Sequence, residues 1–107
     1  MPVIRIDFDD EKVSDEQAAA LSEAVQRIIS EVTAIEDVMV YANVPRINVK
    51  IHPIEIFVHM SAHKIANPDQ LIGELKTCLQ EWKKESTFPH LLNLTLIPEP
   101  WKTEIGI

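Results

Sequence analysis

The 107-residue sequence predicts an α+β fold: a duplicated β-α-β unit forming a four-stranded mixed sheet with two helices on one face. Two helical patterns alternate with four strand-like runs, and helix caps and closing prolines repeat at an offset of 53 residues. A strand, a crossover helix and a second strand in one sheet run parallel and right-handed. We therefore expect a single domain over 1–107, with repeats at about 2–45 and 54–98.

Composition limits the class of protein. The hydrophobic fraction of 46% supports a real core, and the net charge of −7 disfavours binding to nucleic acid or to an anionic membrane surface. Cys78 is the one cysteine, which excludes an internal disulfide and fits a reducing compartment. The sequence has neither a signal-peptide pattern nor an apolar run long enough to span a bilayer. We expect a cytoplasmic protein that binds a small molecule.

The first unit begins with a strand from Val3 to Phe8 and continues with a helix from Ser14 to Val32. Ser14 and Gln17 have the spacing of a capping box, in which both side chains satisfy free backbone donors of the first turn. Apolar residues then recur at steps of three and four, which predicts one buried stripe. The stripe consists of Ala18, Leu21, Val25, Ile28, Ile29 and Val32.

Two more strands and a linker lead into the second unit. The runs Val38 to Val44 and Ile54 to Met60 read as strands, with residues 46–53 as the linker between them. The second helix begins after Asn67 as cap, with Pro68 at its first position. Its apolar stripe is Leu71, Leu75, Cys78, Leu79 and Trp82.

Two further features complete the second unit. Gly73 inside the helix costs about 1 kcal/mol relative to alanine, so we expect another backbone to approach it closely. Leu91 to Ile97 forms the last strand. Cys78 lies on the apolar stripe, where a buried and inert thiol is expected rather than a nucleophile.

The two faces of the predicted sheet differ in polarity. One face is apolar and suits packing under the helices, whereas the other is too apolar for a solvated surface and too polar for a core. The mixed face carries Val3, Arg5, Asp7, Met39, Tyr41, Asn43, Glu55, Phe57, His59, Asn93, Thr95 and Ile97. Because exposed mixed patches of this size usually mark interfaces, we expect an oligomer that turns these faces inward. The alternative is a monomer in which this mixed face is exposed to solvent.

Pro2 is the residue with the clearest chemical potential. If Met1 is removed, Pro2 carries a secondary amine, and a free α-amino group has a pKa of roughly 7.7 to 8.0. Burial or a nearby cation lowers this pKa because the charged ammonium is disfavoured. Such an amine suits general-base catalysis near neutral pH. The alternative is that Met-Pro at the start has no chemical meaning, since two residues specify little.

Pro2 leading into a strand, the helix start Ser14-Asp15-Glu16-Gln17 and the duplicated β-α-β unit together resemble the tautomerase superfamily. This superfamily includes 4-oxalocrotonate tautomerase and macrophage migration inhibitory factor. The resemblance implies a homotrimer whose sheets form a central barrel. It also implies cofactor-free keto–enol isomerisation of 2-oxo acids or aryl pyruvates, with the amino-terminal proline as proton shuttle. In some branches that proline assists decarboxylation or dehalogenation.

At several positions the sequence departs from the pattern of that superfamily. Val13 and Met39 stand where 4-oxalocrotonate tautomerase has substrate-holding arginines. In the branch of macrophage migration inhibitory factor, a tyrosine and an asparagine begin the last main strand. Here Leu91 replaces the tyrosine and Asn93 keeps the asparagine, while Trp101 resembles a tail tryptophan of that branch.

Strand pairing suggests which residues lie near Pro2. If the two units pair antiparallel, the start of the first strand lies beside the end of the third. Lys64 or Arg5 is then placed to hold a substrate carboxylate, and His59 or His63 to relay a proton. For each of these side chains, the alternative is a solvated residue without a role.

No cofactor is expected, and His52, His59 and His63 are not expected to bind a metal. The His-x-x-x-His spacing brings two ligands to one face only in a helix, and these residues lie on a strand and a loop.

The sequence thus predicts a tautomerase-like isomerase of a small 2-oxo acid that uses Pro2. The alternative is a non-catalytic oligomeric binding or structural protein that keeps the fold without the chemistry, as Val13 and Met39 suggest.

Overall fold

Four strands and two helices follow one another in the order β-α-β-β-α-β in a computed structural model that describes residues 1–107. The strands are β1 (Val3–Phe8), β2 (Met39–Asn43), β3 (Ile54–Ser61) and β4 (Asn93–Glu99). The helices are α1 (Asp15–Thr33) and α2 (Pro68–Ser86), and a 3-10 turn spans Ala62–Lys64.

The sheet has the strand order β2-β1-β3-β4. β1 pairs parallel with β2, β3 pairs parallel with β4, and β1 pairs antiparallel with β3 in the centre. Val3 is opposite Met39 on one side and His59 on the other. The predicted α+β class and mixed sheet are confirmed, and the start of β1 does lie beside the end of β3.

The core lies between one face of the sheet and both helices, because every second residue of the central strands is buried. The α1 stripe is buried except for Val32, which packs against the core from a partly exposed position. α2 buries only Leu75 and Leu79. The fully buried strand residues are Ile4, Ile6, Ile54, Ile56, Val58 and Met60. The predicted alternation of the two sheet faces is therefore confirmed.

Both helices begin and end in the same way. The Ser14 hydroxyl accepts from the Gln17 amide at 3.1 Å, while Gln17 Oε1 accepts from the Ser14 amide at 3.0 Å. Asn67 caps α2 through the Gln70 amide at 3.0 Å. Each helix ends at a left-handed residue, Ala34 with φ 59° and Thr87 with φ 56°. The predicted caps are confirmed.

The two units do not correspond at one constant sequence offset. The offset is one residue smaller than that of the helices before α2 and one residue larger after it. The helices start and end 53 residues apart. Val3 and Glu55, which begin the parallel pairing in each unit, are 52 apart, whereas their partners Met39 and Asn93 are 54 apart. A one-residue slip would turn every side chain to the other sheet face. The offset of 53 therefore holds for the helices alone, and the duplication itself stays a prediction.

Two local predictions are wrong. A Cβ built on Gly73 meets nothing within 4 Å, so no backbone approaches this exposed glycine. The last strand runs from Asn93 to Glu99, two residues further along than expected. Pro98 does not end this strand, because β4 is at the edge of the sheet and the missing amide of a proline is tolerated there.

A hydrogen bond joins the two units outside the sheet. His90, in the segment between α2 and β4, has its Nε2 2.9 Å from Gln17 Oε1. Since an amide oxygen only accepts, the His90 ring donates. Phe88 packs edge-on against the same ring at 5.5 Å. Gln17 therefore serves both the cap of α1 and the connection to the second unit.

Replacing Gln17 by alanine removes the acceptor of both the Ser14 amide and the His90 ring. We expect Gln17→Ala to lower the free energy of unfolding by about 1–3 kcal/mol. Gln80→Ala, at an exposed position of α2, is the matched control and should change it by less than about 0.5 kcal/mol. Urea denaturation of both variants at one protein concentration measures the difference. Equal midpoints for the two variants would contradict the dual role of Gln17.

Candidate functional site

Pro2 lies immediately before the central strand β1 and is less than 2% exposed. Its carbonyl oxygen accepts from the Met39 amide at 3.1 Å, which ties it to the start of β2. The end of β3 is on its other side, because Val3 is opposite His59. Pro2 is thus held at one end of the strands, which we call the Pro2 end of the sheet.

The sheet face away from the helices is uncovered and is called the open face. It carries the odd-numbered strand residues, all of which are partly or fully exposed. Met39 is 49% exposed and Tyr41 45%. This face has the mixed composition that the sequence predicted, and it adds Glu99 because β4 extends beyond Ile97.

Arg5 lies in the middle of the open face rather than at the Pro2 end. Its Nε donates to Asp7 Oδ2 at 3.3 Å, and its guanidinium lies 4.6 Å from the centre of the Phe57 ring. A carboxylate and an aromatic face therefore already hold this side chain. Its charge is partly balanced within the chain, and only its terminal nitrogens remain available for other contacts.

His59 is at the Pro2 end of the open face and forms the shortest side-chain contact of the sheet. Its Nδ1 is 2.6 Å from Glu99 Oε1. Because the carboxylate only accepts, Nδ1 carries the proton that is shared between them. The side chains of His59 and Glu99 are 26% and 40% exposed. The sequence predicted His59 as a candidate but missed Glu99, since it ended the last strand at Ile97.

Asn93 lies at the opposite end of the sheet from Pro2. It pairs with Glu55, and its Nδ2 donates to Glu55 Oε1 at 2.9 Å. Glu55 precedes His59 by four residues along β3, which is roughly 13 Å at the rise of a strand. Asn93 and Pro2 of the same chain therefore do not meet.

His63 and Lys64 lie in the 3-10 turn that follows β3, at the Pro2 end. Both are exposed, and neither makes a hydrogen bond or an ion pair. Lys64 lines a cleft of about 240 Å³ between the end of α1 and the start of α2, together with Thr33 and Gln70. The structure thus brings Lys64, His63 and His59 to the edge where Pro2 lies, and leaves Arg5 and Asn93 further away.

The two positions that depart from the superfamily pattern lie in different surroundings. Val13 is 1% exposed and belongs to the hydrophobic core. An arginine there would have to bury its charge or displace the start of α1. Met39, on the open face, is exposed and has room for a long polar side chain. Val13 therefore has a packing role, and its position is closed to a substrate.

Nowhere do three or more histidine, cysteine, aspartate or glutamate side chains converge on a point that would suit a metal ion. Neither helix combines the length and apolarity required to cross a bilayer.

Comparison with known proteins identifies the fold. No sequence model of a known protein family matches the chain, and no curated protein matches it. The structure of native Ps01740 is similar with a TM-score of 0.66 and 15% identity, covering 95% of this chain and 99% of that one.

Two malonate semialdehyde decarboxylases are also similar. The FG41 enzyme inhibited by 3-bromopropiolate has a TM-score of 0.65 at 16% identity, covering 98% of this chain and 91% of its own. A second such decarboxylase, with decarboxylase and hydratase activities, has a TM-score of 0.64 at 11% identity, covering 98% of this chain and 92% of its own. These decarboxylases belong to the tautomerase superfamily, and the present chain has the tautomerase-superfamily fold.

Because Val13 is buried, an arginine at position 13 should affect stability far more than an arginine at an exposed position of α1. We expect Val13→Arg to destabilise the fold by more than about 3 kcal/mol, because it places an unpaired charge in the core. Ala19→Arg, at an exposed position of α1, should change stability by less than about 0.5 kcal/mol. Thermal unfolding followed by circular dichroism compares the two. A stable Val13→Arg protein would show that this position is open to solvent after all.

Proposed function

We propose that this protein is a cofactor-free tautomerase-like isomerase that acts on a small 2-oxo acid through the amino-terminal nitrogen of Pro2. The position of Pro2 carries the proposal: it is buried at the start of the central strand, at the edge that also holds His59, His63 and Lys64. The tautomerase-superfamily fold supports the same reaction class.

The proposed chemistry requires removal of Met1. With Met1 attached, the Pro2 nitrogen is a tertiary amide and has no basic lone pair. After removal it becomes a basic secondary amine at the start of the central strand. A neutral amine can take a proton from the carbon next to the substrate carbonyl. The hydrogen bond from the Met39 amide holds the residue in place during this transfer.

The remaining candidate residues divide by location. We assign carboxylate binding to Lys64 and His63, whose side chains are free of partners at the Pro2 end. Arg5 lies further from Pro2 on the open face, and its terminal nitrogens are additional donors for a substrate carboxylate. Asn93 lies too far from Pro2 of its own chain, so its proposed contact requires a neighbouring protomer.

The names of the similar decarboxylases point to a small oxo acid, malonate semialdehyde, as the substrate of those proteins.

A non-catalytic binding or structural protein is the second candidate. Two observations favour it. Val13, at a position where the superfamily pattern has a substrate-holding arginine, is part of the core, and Arg5 is already bonded to Asp7. The two candidates differ in the state of Pro2. A catalyst needs a free proline nitrogen, whereas a binding protein works equally well with Met1 retained.

We predict that Pro2→Ala lowers kcat/KM for phenylpyruvate or 2-hydroxymuconate ketonisation by at least about 100-fold, the usual contribution of a general acid or base. Alanine keeps a free amine but loses the ring and its secondary nitrogen. Pro89→Ala, at an exposed loop proline, is the matched control and should retain full activity. Intact mass spectrometry of each protein confirms that Met1 is absent. Equal rates for the wild type and Pro2→Ala would remove Pro2 from the mechanism.

We also propose that the protein is a homotrimer whose open faces turn inward. The open face carries exposed apolar side chains, such as those of Met39 and Tyr41, alongside partly exposed polar side chains. Burying such a face removes apolar surface from water at about 25 cal/mol per Å². A contact between protomers is also what would bring Asn93 of one chain to the Pro2 end of another.

Light scattering after size exclusion should give a mass about three times the 12.2 kDa of the chain. Tyr41→Glu places a charge on the open face and should release monomers, because the charge would lose its hydration in the interface. Ala20→Glu, at an exposed position of α1, should leave the mass unchanged. A wild-type protein that elutes as a monomer at all concentrations would exclude the inward-facing assembly.

A further inference from the structure

Residues 46–52, which we call the linker segment, have the sequence pattern of a strand but form no strand within the chain. Apolar and polar residues alternate along the whole segment, and such alternation is typical of a strand with one buried side. The apolar positions are Ile47, Val49 and Ile51. In the structure, the linker segment lies between β2 and β3 and belongs to no helix or strand.

Both the apolar side chains and the backbone of the linker segment are left without partners. Ile47 is 84% exposed and Val49 is fully exposed. No backbone amide or carbonyl of residues 46–52 makes a hydrogen bond within the chain. β-Branched side chains at alternate positions and a row of free backbone groups are the features with which a segment pairs to the edge of a sheet. The linker segment therefore lacks only a neighbouring strand.

A surface that fits such a strand lies at the opposite edge of the sheet. β4 pairs only with β3, so the backbone groups on its other side are unpaired, and β4 has seven residues, as many as the linker segment. Beside this edge, a groove of about 450 Å³ lies between α2 and β4. Its apolar lining consists of Ile72, Leu79, Leu91, Leu92 and Leu94. A strand added to β4 would place every second side chain over this groove and the others on the open face.

The charges at the groove determine which side of the linker segment can enter it. Lys76 and Lys83 line the groove, and no acidic residue does. These lysines repel Arg46 and Lys50 of the linker segment, so its polar side is kept out of the groove. The apolar side meets the leucines instead, and the aliphatic stems of the two lysines can cover it while their ammonium groups stay in water.

The open face suits the polar side of the linker segment. On β3 and β4 this face carries the carboxylates of Glu55 and Glu99 and has no lysine or arginine. Arg46 and Lys50 are the charged residues of the linker segment, and both are cations. Apolar contact on one side and charge complementarity on the other therefore select the same orientation of the added strand.

We propose that the linker segment of one protomer adds as a fifth strand to the β4 edge of the next protomer, with its apolar side chains in the groove between α2 and β4. The segment follows β2, and β2 and β4 are the two opposite edges of the sheet. Each protomer therefore gives its segment at one edge and receives another at the other edge. Such a head-to-tail contact can close into a ring. The inference rests on the homotrimer proposed above and is independent of the chemistry of Pro2.

Hydrogen exchange of the wild-type protein tests the pairing directly. Because the amides of residues 46–52 have no acceptor within the chain, protection of these amides has to come from a neighbouring protomer. We expect alternate amides of the segment to exchange at least about tenfold more slowly in the assembled protein than in diluted monomer. Residues 102–107, which are exposed and outside any strand, are the internal control and should exchange fast in both samples. Free exchange of residues 46–52 in the assembled protein would overturn the proposal.

Variants that add a cation test the two surfaces separately. Val49→Lys places a charge on the apolar side of the linker segment, and Leu91→Lys adds a third cation to the groove. Each should lower the mass measured by light scattering from three times the 12.2 kDa of the chain to a single chain. Ile107→Lys, at an exposed isoleucine outside both surfaces, is the matched control and should leave the mass unchanged. All three positions are exposed in the single chain, and circular dichroism confirms that each variant is folded.

Mixing the two variants tests the head-to-tail geometry. The Val49→Lys chain keeps an intact groove and the Leu91→Lys chain keeps an intact linker segment. At a concentration at which the wild type is fully assembled, an equimolar mixture should therefore form dimers of one chain of each variant. A mixture that stays monomeric would contradict the head-to-tail contact.

The outcomes separate this proposal from the two above. If the wild type is a trimer and both Val49→Lys and Leu91→Lys are trimers as well, the linker segment does not join the protomers, and the assembly through the open faces stands. A wild type that is a monomer at all concentrations contradicts both modes of assembly. The isomerase proposal depends on Pro2→Ala and is decided by that variant alone.

Discussion

The antiparallel pairing of β1 with β3 determines where both the hydrophobic core and the candidate site lie. It joins two parallel β-α-β units in one sheet and buries the even-numbered residues of both central strands. The same pairing brings the end of β3 and the following turn to Pro2. Core and candidate site are therefore two consequences of one strand register, and a slip by a single residue would exchange the faces and disperse both.

Much of this arrangement follows from the sequence because strand and helix periodicities are strong signals. Alternation predicted which residues of β1 and β3 are buried, and Ser14 and Asn67 predicted both helix starts. Pairing of the units predicted that the end of β3 lies beside the start of β1. These features depend on local rules, namely side-chain period, capping chemistry and the handedness of the crossover.

What the sequence did not reveal depends on register and on edge geometry. Glu99 was missed because Pro98 indicated the end of a strand, yet an edge strand continues through a proline. Asn93 matches a superfamily position by residue type, but only the β3–β4 register shows that it lies at the far end of the sheet. Val13 could not be assigned to the core because it precedes α1, outside the periodic stripe.

The proposed chemistry depends on the nitrogen of Pro2, and the titration of this nitrogen can be measured directly. The ¹⁵N chemical shift of Pro2 should be followed against pH in protein expressed without a tag and labelled at proline. We expect a nitrogen that titrates as an amine, because a proline without Met1 carries a basic secondary nitrogen. A shift that stays constant across the pH range would show an amide nitrogen and a retained Met1, and would contradict proline catalysis.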